Sequence, residues 1–324
     1  RQRNVAYSAS NIAGSLRLGP SDRSLNVMPL FHIHGLMAGL LAPLSAGGAV
    51  VATPGFDAFK IHGWIDRLQP TYYTAVPTMH QMVLARAPEP RETTLRFVRS
   101  SSASLPSPVL EALAGLFRVP VVEAYGMTEA CHQMTGNPID GEVKPRSVGL
   151  PTGIELTILD HAGNHLPQGE RGEVSIRGAG VVDGYENNPE ANAEAFTDGW
   201  FRTGDEGLLD GDGYLFLTGR LKEQINRGGE KISPLEIDEV LLRHPAVAQA
   251  VAFAIPHDKL GEDVGAAVVL AEGAEVDERD LRDHVSSSLA AFKVPRQIVF
   301  VDEIPKGATG KLQRIGLAER LGVA

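Results

Sequence analysis

The sequence predicts a layered α/β large domain with an antiparallel β-rich subdomain, followed by a small α+β C-terminal domain. Three observations carry this. Residues 25–130 alternate short apolar runs with helical stretches, the pattern of a parallel sheet covered by helices. From about 145 to 220 the texture changes to short strands divided by polar turns. The last hundred residues form a β-β-α-β series whose apolar faces can close on one another. A chain of 324 residues is long enough for two hydrophobic cores.

In chain order, LNVMPL (25–30) reads as the first strand, Gly35 to Leu44 as a helix, and GAVVAT (48–53) as the next strand. Residues 57–68 place Phe59, Ile61, Trp64, Ile65 and Leu68 at three- and four-residue spacings, which predicts an amphipathic helix. TYYTAV (71–76), LRFVRSS (95–101) and VPVVEAY (119–125) follow as strands with helices between them. IELTILD, GEVSIRG and GYLFLTG are the short strands of the middle region, with DHAGN and DGDG as turns. DGDG (210–213) lacks the terminal Glu of a calcium loop and reads as a hairpin turn. Ser233, Pro234 and Glu236 form an N-cap, a proline at the first helical position and a capping box, for a helix running to about Arg243. AQAVAFAI and GAAVVLA are strands, and Asp277 caps a helix carrying Leu281, Val285, Leu289 and Phe292. QIVFVDEI (297–304) is the last strand.

Composition narrows the function. Thirty Lys and Arg against forty Asp and Glu leave a net charge of −10, which disfavours nonspecific nucleic-acid binding. The single Cys131 excludes an internal disulfide framework and a multi-cysteine zinc site. No apolar run approaches the roughly 20 residues that cross a bilayer. The chain opens on the polar string RQRNVAYSAS without a methionine, so the true N-terminus is expected upstream.

Four segments are richer in Gly, Thr and charge than folding requires. EAYGMTEACHQM (123–134) lies at the C-terminal end of a predicted strand, where open α/β sheets place ligands. There Thr128 offers a hydroxyl and Glu129 a carboxylate, a pair suited to a phosphate and its magnesium ion. GWFRTGDEG (199–207) sets an acid beside a glycine turn, suited to ribose hydroxyls. GRLKEQINRGGEKISP (219–234) gathers Arg220, Lys222, Arg227 and Lys231 around Gly228 and Gly229, where a ligand can approach the backbone closely. PKGATGKLQR (305–314) presents Lys311 on a glycine loop, suited to a developing phosphate charge. Taken singly, these are also a strand-end turn, a hairpin Asp, a solvated basic loop and an ordinary Gly-Lys turn.

In this order and spacing, and with PLFHIHG (29–35) as a fifth match, the segments resemble the adenylate-forming superfamily of acyl-CoA synthetases, luciferases and peptide-synthetase adenylation domains. The resemblance covers nearly the whole chain. It implies ATP, magnesium and coenzyme A as cofactors and cosubstrates and a carboxylic acid as substrate; the expectation of no nucleic-acid partner and no membrane span rests on the charge balance and the short apolar runs. The family's Ser/Thr/Gly-rich phosphate loop normally precedes the stretch matching RQRNVAYSASNI, so the sequence is expected to be a fragment; an inactive adenylate-binding homologue is the alternative. A cytoplasmic location is expected, with a peroxisomal one as the alternative.

Residue by residue, the resemblance implies that Tyr125 stacks on adenine, flanked by Gly126 and by Ser102 and Ala103. Thr128 bonds the α-phosphate and Glu129 holds magnesium. Asp205 grips the ribose with Arg220 assisting, and Lys311 bridges the substrate carboxylate and the α-phosphate. His32 is the catalytic histidine of the PLFHIHG motif. Lys222 is the hinge of the small domain, so the boundary is expected to divide 1–221 from 222–324. Arg227, Gly228 and Gly229 face the pantetheine channel after rotation.

The acid itself is read from three wall positions of the acyl pocket. His34, Ser102 and His132 are polar where a fatty-acid pocket needs apolar walls. A second carboxylate would satisfy two imidazoles and a hydroxyl, the more so if the imidazoles were protonated. TEACHQM, SSSASL and NRGGEKISP look most like the oxalate–CoA ligase branch, with malonate and then a medium-chain acid as alternatives. A luciferase-like oxygenase or an amino-acid-activating domain is the competing enzyme class, and the second would need an acidic partner for an amine in that pocket.

Overall fold

The computed structural model describes residues 1–87, 89–90, 92–307 and 312–323. The contacts divide it into two compact units, Arg1–Thr203 with Gly207–Leu217, and Thr218–Ala324 with Gly204–Glu206.

The first unit is built on a seven-stranded sheet. Its strands are β1 (Arg23–Asn26), β2 (Ala49–Ala52), β3 (Tyr72–Ala75), β4 (Phe97–Ser101), β5 (Val121–Met127), β6 (His132–Gly136) and β7 (Leu150–Pro151), in the order β2-β1-β3-β4-β5-β6-β7. The first five are parallel, and β6 and β7 are antiparallel additions. Side chains alternate across the sheet. Tyr73 and Val98 enter one core with Leu113 and Phe117, while Tyr72 and Phe97 enter the other with Ile12 and Met37. Helices α1 (Gln2–Ser15) and α2 (Ala42–Ser45) belong to the second face; α3 (Ile61–Leu68), α4 (Pro77–Leu84) and α5 (Ser107–Phe117) belong to the first. The parallel, helix-covered sheet is the one the alternating apolar runs predicted.

Several boundaries move for local reasons. The first strand is not 25–30 but stops at Asn26, whose Oδ1 accepts the Met28 amide at 3.1 Å and turns the chain. The helix expected from Gly35 to Leu44 is a π-helix over Gly35–Leu41 that tightens into α2. A Cβ on Gly35 would lie 2.4 Å from the Pro29 carbonyl oxygen, so the chain can pass there only as glycine. Phe59 lies outside α3, exposed, with the Arg86 guanidinium 3.7 Å over its ring.

A second sheet holds β8 (Glu155–Leu159), β9 (Gly172–Arg177), β10 (Phe196–Thr197), β11 (Trp200–Leu209) and β12 (Leu215–Arg220), with α6 (Pro189–Ala195) before β10. The DGDG turn joins β11 to β12, and Lys144 Nζ lies 2.6 Å from both Asp210 and Asp212.

The second unit has β13 (Ile225–Arg227), β14 (Glu230–Ile232), β15 (Val247–His257), β16 (Gly261–Leu270) and β17 (Gln297–Phe300), with helices α7 (Pro234–Leu242), α8 (Glu278–Ser286) and α9 (Leu317–Arg320). Its core gathers Ile237, Leu241, Val264, Val268, Leu281 and Val285. Asp277 caps α8 through the Asp280 amide at 2.8 Å. That helix ends at Ser286, so Leu289 and Phe292 join the same core from beyond it. The capping box at Ser233 does not form. The Ser233 hydroxyl donates instead to the Thr218 carbonyl, and Glu236 pairs with Lys293 at 2.5 Å.

Candidate active site

The sequence-selected residues of the first unit gather at the C-terminal ends of β4 and β5 and at the start of the π-helix. Tyr125 and Gly126 lie in the last residues of β5; Thr128 and Glu129 open the 3₁₀ turn Thr128–Ala130 after it; Ser102 and Ala103 follow β4; His32 and His34 precede the π-helix. Thr128 is exposed and Glu129 half-buried, with the Tyr185 hydroxyl donating to Glu129 Oε1 at 2.8 Å. No trio of His, Cys, Asp or Glu able to cage a metal occurs among the described residues. A lone carboxylate fits a magnesium ion that keeps water and phosphate ligands, the usual way that ion is held beside a nucleotide. His32 is half-buried; its Nδ1 accepts the His34 amide at 3.3 Å, and its ring lies 6.4 Å from that of His34.

The backbone here is strained where the polar wall is formed. Ser102, Cys131 and His132 take φ of +75°, +50° and +95°, a region that side-chain-bearing residues rarely enter. The β5–β6 register shifts between Tyr125 and Gly126, and such a bulge re-aims side chains. The His132 carbonyl passes so close over Gly126 that a Cβ there would lie 1.4 Å from its oxygen. The Ser8 hydroxyl of α1 donates to the Cys131 carbonyl at 2.6 Å and holds the turn from beneath.

These constraints bring His34, Ser102 and His132 together. His34 Nδ1 is 3.0 Å from Ser102 Oγ, and the two imidazoles stack with centroids 4.9 Å apart. Behind them lies a residue the sequence analysis did not select. Arg99, on β4 and fully buried, shares the sheet face of Phe97 and therefore the face of His34. Its Nη1 donates to His34 Nε2 at 3.2 Å and Thr74 Oγ1 at 3.1 Å. Its Nη2 donates to His132 Nε2 at 3.1 Å and Gln133 Oε1 at 3.0 Å. No carboxylate forms an ion pair with it among the described residues. The usable signal was a lone arginine inside the apolar strand FVRSS, at a position that alternation turns inward.

Burial, the neighbouring ring and Arg99 hold the pKa of His34 well below its usual value, and burial, Arg99 and His32 do the same to His132. Both imidazoles are therefore neutral near pH 7. The added strength that protonated imidazoles would have given is therefore absent, and the fixed charge belongs to Arg99, whose own pKa burial lowers only to about 10.

The remaining selected residues lie in the second unit. Asp205 is buried, with Oδ1 3.0 Å from Arg220 Nε. Lys222 is exposed in the 3₁₀ turn Leu221–Glu223. Gly228 and Gly229, with φ of +61° and +97°, form the two-residue loop between β13 and β14, a geometry glycine takes without steric cost. Arg227 Nε donates to Asp263 at 2.7 Å. Lys311 lies outside the described residues.

The sequence matches the AMP-binding enzyme family over residues 1–186 and the AMP-binding enzyme C-terminal domain over 236–311. It is 52% identical to a probable CoA ligase CCL9 from Humulus lupulus, covering 98% of this chain. It is 50% identical to an oxalate–CoA ligase from Arabidopsis thaliana, covering 97% of this chain. The chain spans 62% of the length of each of these relatives. It also superposes on the crystal structure of ATP-bound MatB from Rhodopseudomonas palustris with a TM-score of 0.93 at 32% identity, covering 99% of this chain and 64% of that one. No helix among the described residues is long and apolar enough to cross a membrane.

Proposed function

The chain belongs to the AMP-binding enzyme family, and from that premise we propose that it is the larger part of an ATP-dependent acid–thiol ligase. Its substrate is a small carboxylic acid that carries a second anionic group, oxalate first and malonate second. The observation that carries the choice of acid is the polar wall of His34, Ser102 and His132 in front of a buried guanidinium that no carboxylate balances among the described residues. An apolar acyl chain would leave that wall unsatisfied, whereas a distal carboxylate accepts its hydrogens and offsets the charge.

In the first half-reaction a substrate carboxylate oxygen bonds to the α-phosphorus of ATP as the bond to pyrophosphate breaks. In the second, the thiol sulfur of coenzyme A, its proton lost, bonds to the acyl carbon and AMP departs with the bonding pair. Tyr125 stacks on adenine beside Gly126, Ser102 and Ala103. Thr128 bonds the α-phosphate, and Asp205 with Arg220 holds the ribose. Glu129 would hold magnesium, which would supply charge neutralisation for the phosphates. Lys311 joins carboxylate and phosphate while the adenylate forms, and His32 is the catalytic histidine of the PLFHIHG motif. Lys222 is the pivot that carries the Arg227-Gly228-Gly229 loop to the thiol channel. Positioning and fixed charge do the catalysis, since no group on the protein becomes covalently bound.

The test is the acid profile of the intact protein with ATP and coenzyme A, reading thioester and AMP. Oxalate is expected to give the highest kcat/KM; preference for a long fatty acid over oxalate and malonate overturns the reading. In the same assay Lys311→Ala should lower adenylation about a hundredfold or more while thioester formation from preformed acyl-adenylate survives.

A further inference from the structure

Arginine only donates hydrogen bonds, so each atom facing the Arg99 guanidinium must accept. Those atoms are Nε2 of His34, Nε2 of His132, Oγ1 of Thr74 and Oε1 of Gln133. Gln133 is fixed in that sense from its other end, where the amide nitrogen donates to Ser15 Oγ at 2.8 Å and Thr152 Oγ1 at 3.1 Å. Thr74 accepts from Arg99 and lies 2.5 Å from His34 Nε2, so its own hydrogen and the Arg99 hydrogen converge on the one lone pair of that nitrogen as a three-centre bond. A neutral imidazole whose Nε2 accepts carries its hydrogen on Nδ1. His34 Nδ1–H then donates to Ser102 Oγ, and the Ser102 hydrogen is released for another partner. Nothing among the described residues bonds His132 Nδ1.

We propose that Arg99 is a positioning residue that sets which hydrogens the acyl pocket offers. By donating to both Nε2 atoms it fixes both imidazoles as Nδ1–H tautomers, and so presents Ser102 Oγ–H and His132 Nδ1–H as paired donors for the distal anionic group of the acid. This deepens the function proposed above and rests on it. Two donors match the two oxygens of a carboxylate, and the arginine behind them supplies the opposite charge without touching the substrate. The left-handed backbone at Ser102 and His132 holds both donors in place.

The experiment combines imidazole ¹⁵N spectra with kinetics of the intact protein, for the wild type, Arg99→Met and Arg99→Lys. In the wild type His34 and His132 should show protonated Nδ1 and acceptor Nε2. In Arg99→Met that signature should be lost, and KM for oxalate should rise at least about thirtyfold with kcat little changed, because the contact is equal in ground and transition states. The kcat/KM ratio of oxalate to butyrate should collapse by the same factor. Arg99→Lys keeps a charge but not the planar fork, so it should recover only part of the ratio. Unchanged tautomers with parallel loss on both acids, or full recovery by lysine, would overturn the role. If the methionine variant does not fold, the lysine variant decides by the same readouts. A wild type that prefers butyrate to oxalate defeats the substrate reading, and the tautomer spectra still decide whether Arg99 governs the imidazoles.

Discussion

Arg314 in the second unit and Arg99 in the first are both enclosed, yet they are held in opposite ways. Arg314 donates to Asp238 at 2.7 Å, to Glu223 at 3.2 Å and to the Ala252 carbonyl. Asp238 takes the Ala252 amide on its other oxygen; its burial pushes the carboxyl upward against the pull of Arg314 and of that amide. That arginine stitches β15, α7 and the 3₁₀ turn at 221–223 together. Arg99 has neutral acceptors and, among the described residues, no acid. A charge matched inside the protein serves the fold; under the function proposed above, a charge left unmatched behind a polar wall serves a ligand.

The largest effect should therefore come from breaking the matched pair. Arg314→Met leaves Asp238 buried and unpaired, and should cost about 3–5 kcal/mol of unfolding free energy. Arg99→Met strands only neutral acceptors and should cost about 1–3 kcal/mol. Chemical denaturation of both variants measures the difference; a greater loss for Arg99→Met would break the comparison.

Acid should bear on the first unit next. Burial lowers the pKa of His34 and His132 well below their unfolded value, and that of the buried His80 to about 4. The unfolded chain binds these protons first. The stability they contribute is thus complete above about pH 6.5 and is lost as pH falls toward the folded values, approaching roughly 1 kcal/mol per pH unit for each imidazole. For His80 the window is about pH 6.5 down to 4. Denaturation of the wild type and of His132→Val across that range should show a shallower slope in the variant. Equal slopes would mean that His132 is not the buried neutral base described here.

The third effect is on substrate choice. His132→Val removes one of the two outward donors, so kcat/KM for oxalate should fall at least about tenfold, the equivalent of 1.4 kcal/mol. Butyrate should lose less, because its tail no longer meets an unpaired imidazole. Measuring both acids on one preparation cancels a folding defect, and parallel decline would make His132 structural.

The contrast between the arginines also explains what the sequence could tell. The strands around Tyr72, Phe97 and Val121 were legible because each is a short apolar run. The gathering of His34, Ser102 and His132 was legible because three polar residues fell where an acyl wall was expected. Arg99 was not, since one charged residue in FVRSS is silent until strand alternation decides which way it faces. The strain at His132 has no signal of its own, for it depends on a bulge beside Gly126. Ser233 misled because the capping pattern is local, whereas the Thr218 carbonyl that takes its hydroxyl is brought there by the fold.

The smallest effect sharpens the comparison at its other end. Arg314 has two acids, but they are not equivalent. Asp238 keeps 12% of its side chain exposed and also bonds the backbone of β15, whereas Glu223 keeps 23% exposed at the rim. A partly exposed ion pair is screened by solvent, and its loss leaves Arg314 with its buried partner intact. Glu223→Gln should therefore cost less than about 1 kcal/mol in denaturation, and less still in high salt. Asp238→Asn should cost several times more, because the arginine would then be buried with only the rim carboxylate. If the two single substitutions destabilise equally, the pairing of Arg314 is shared evenly between rim and interior. Burial of the partner would then not be what distinguishes a structural arginine from one held for a ligand.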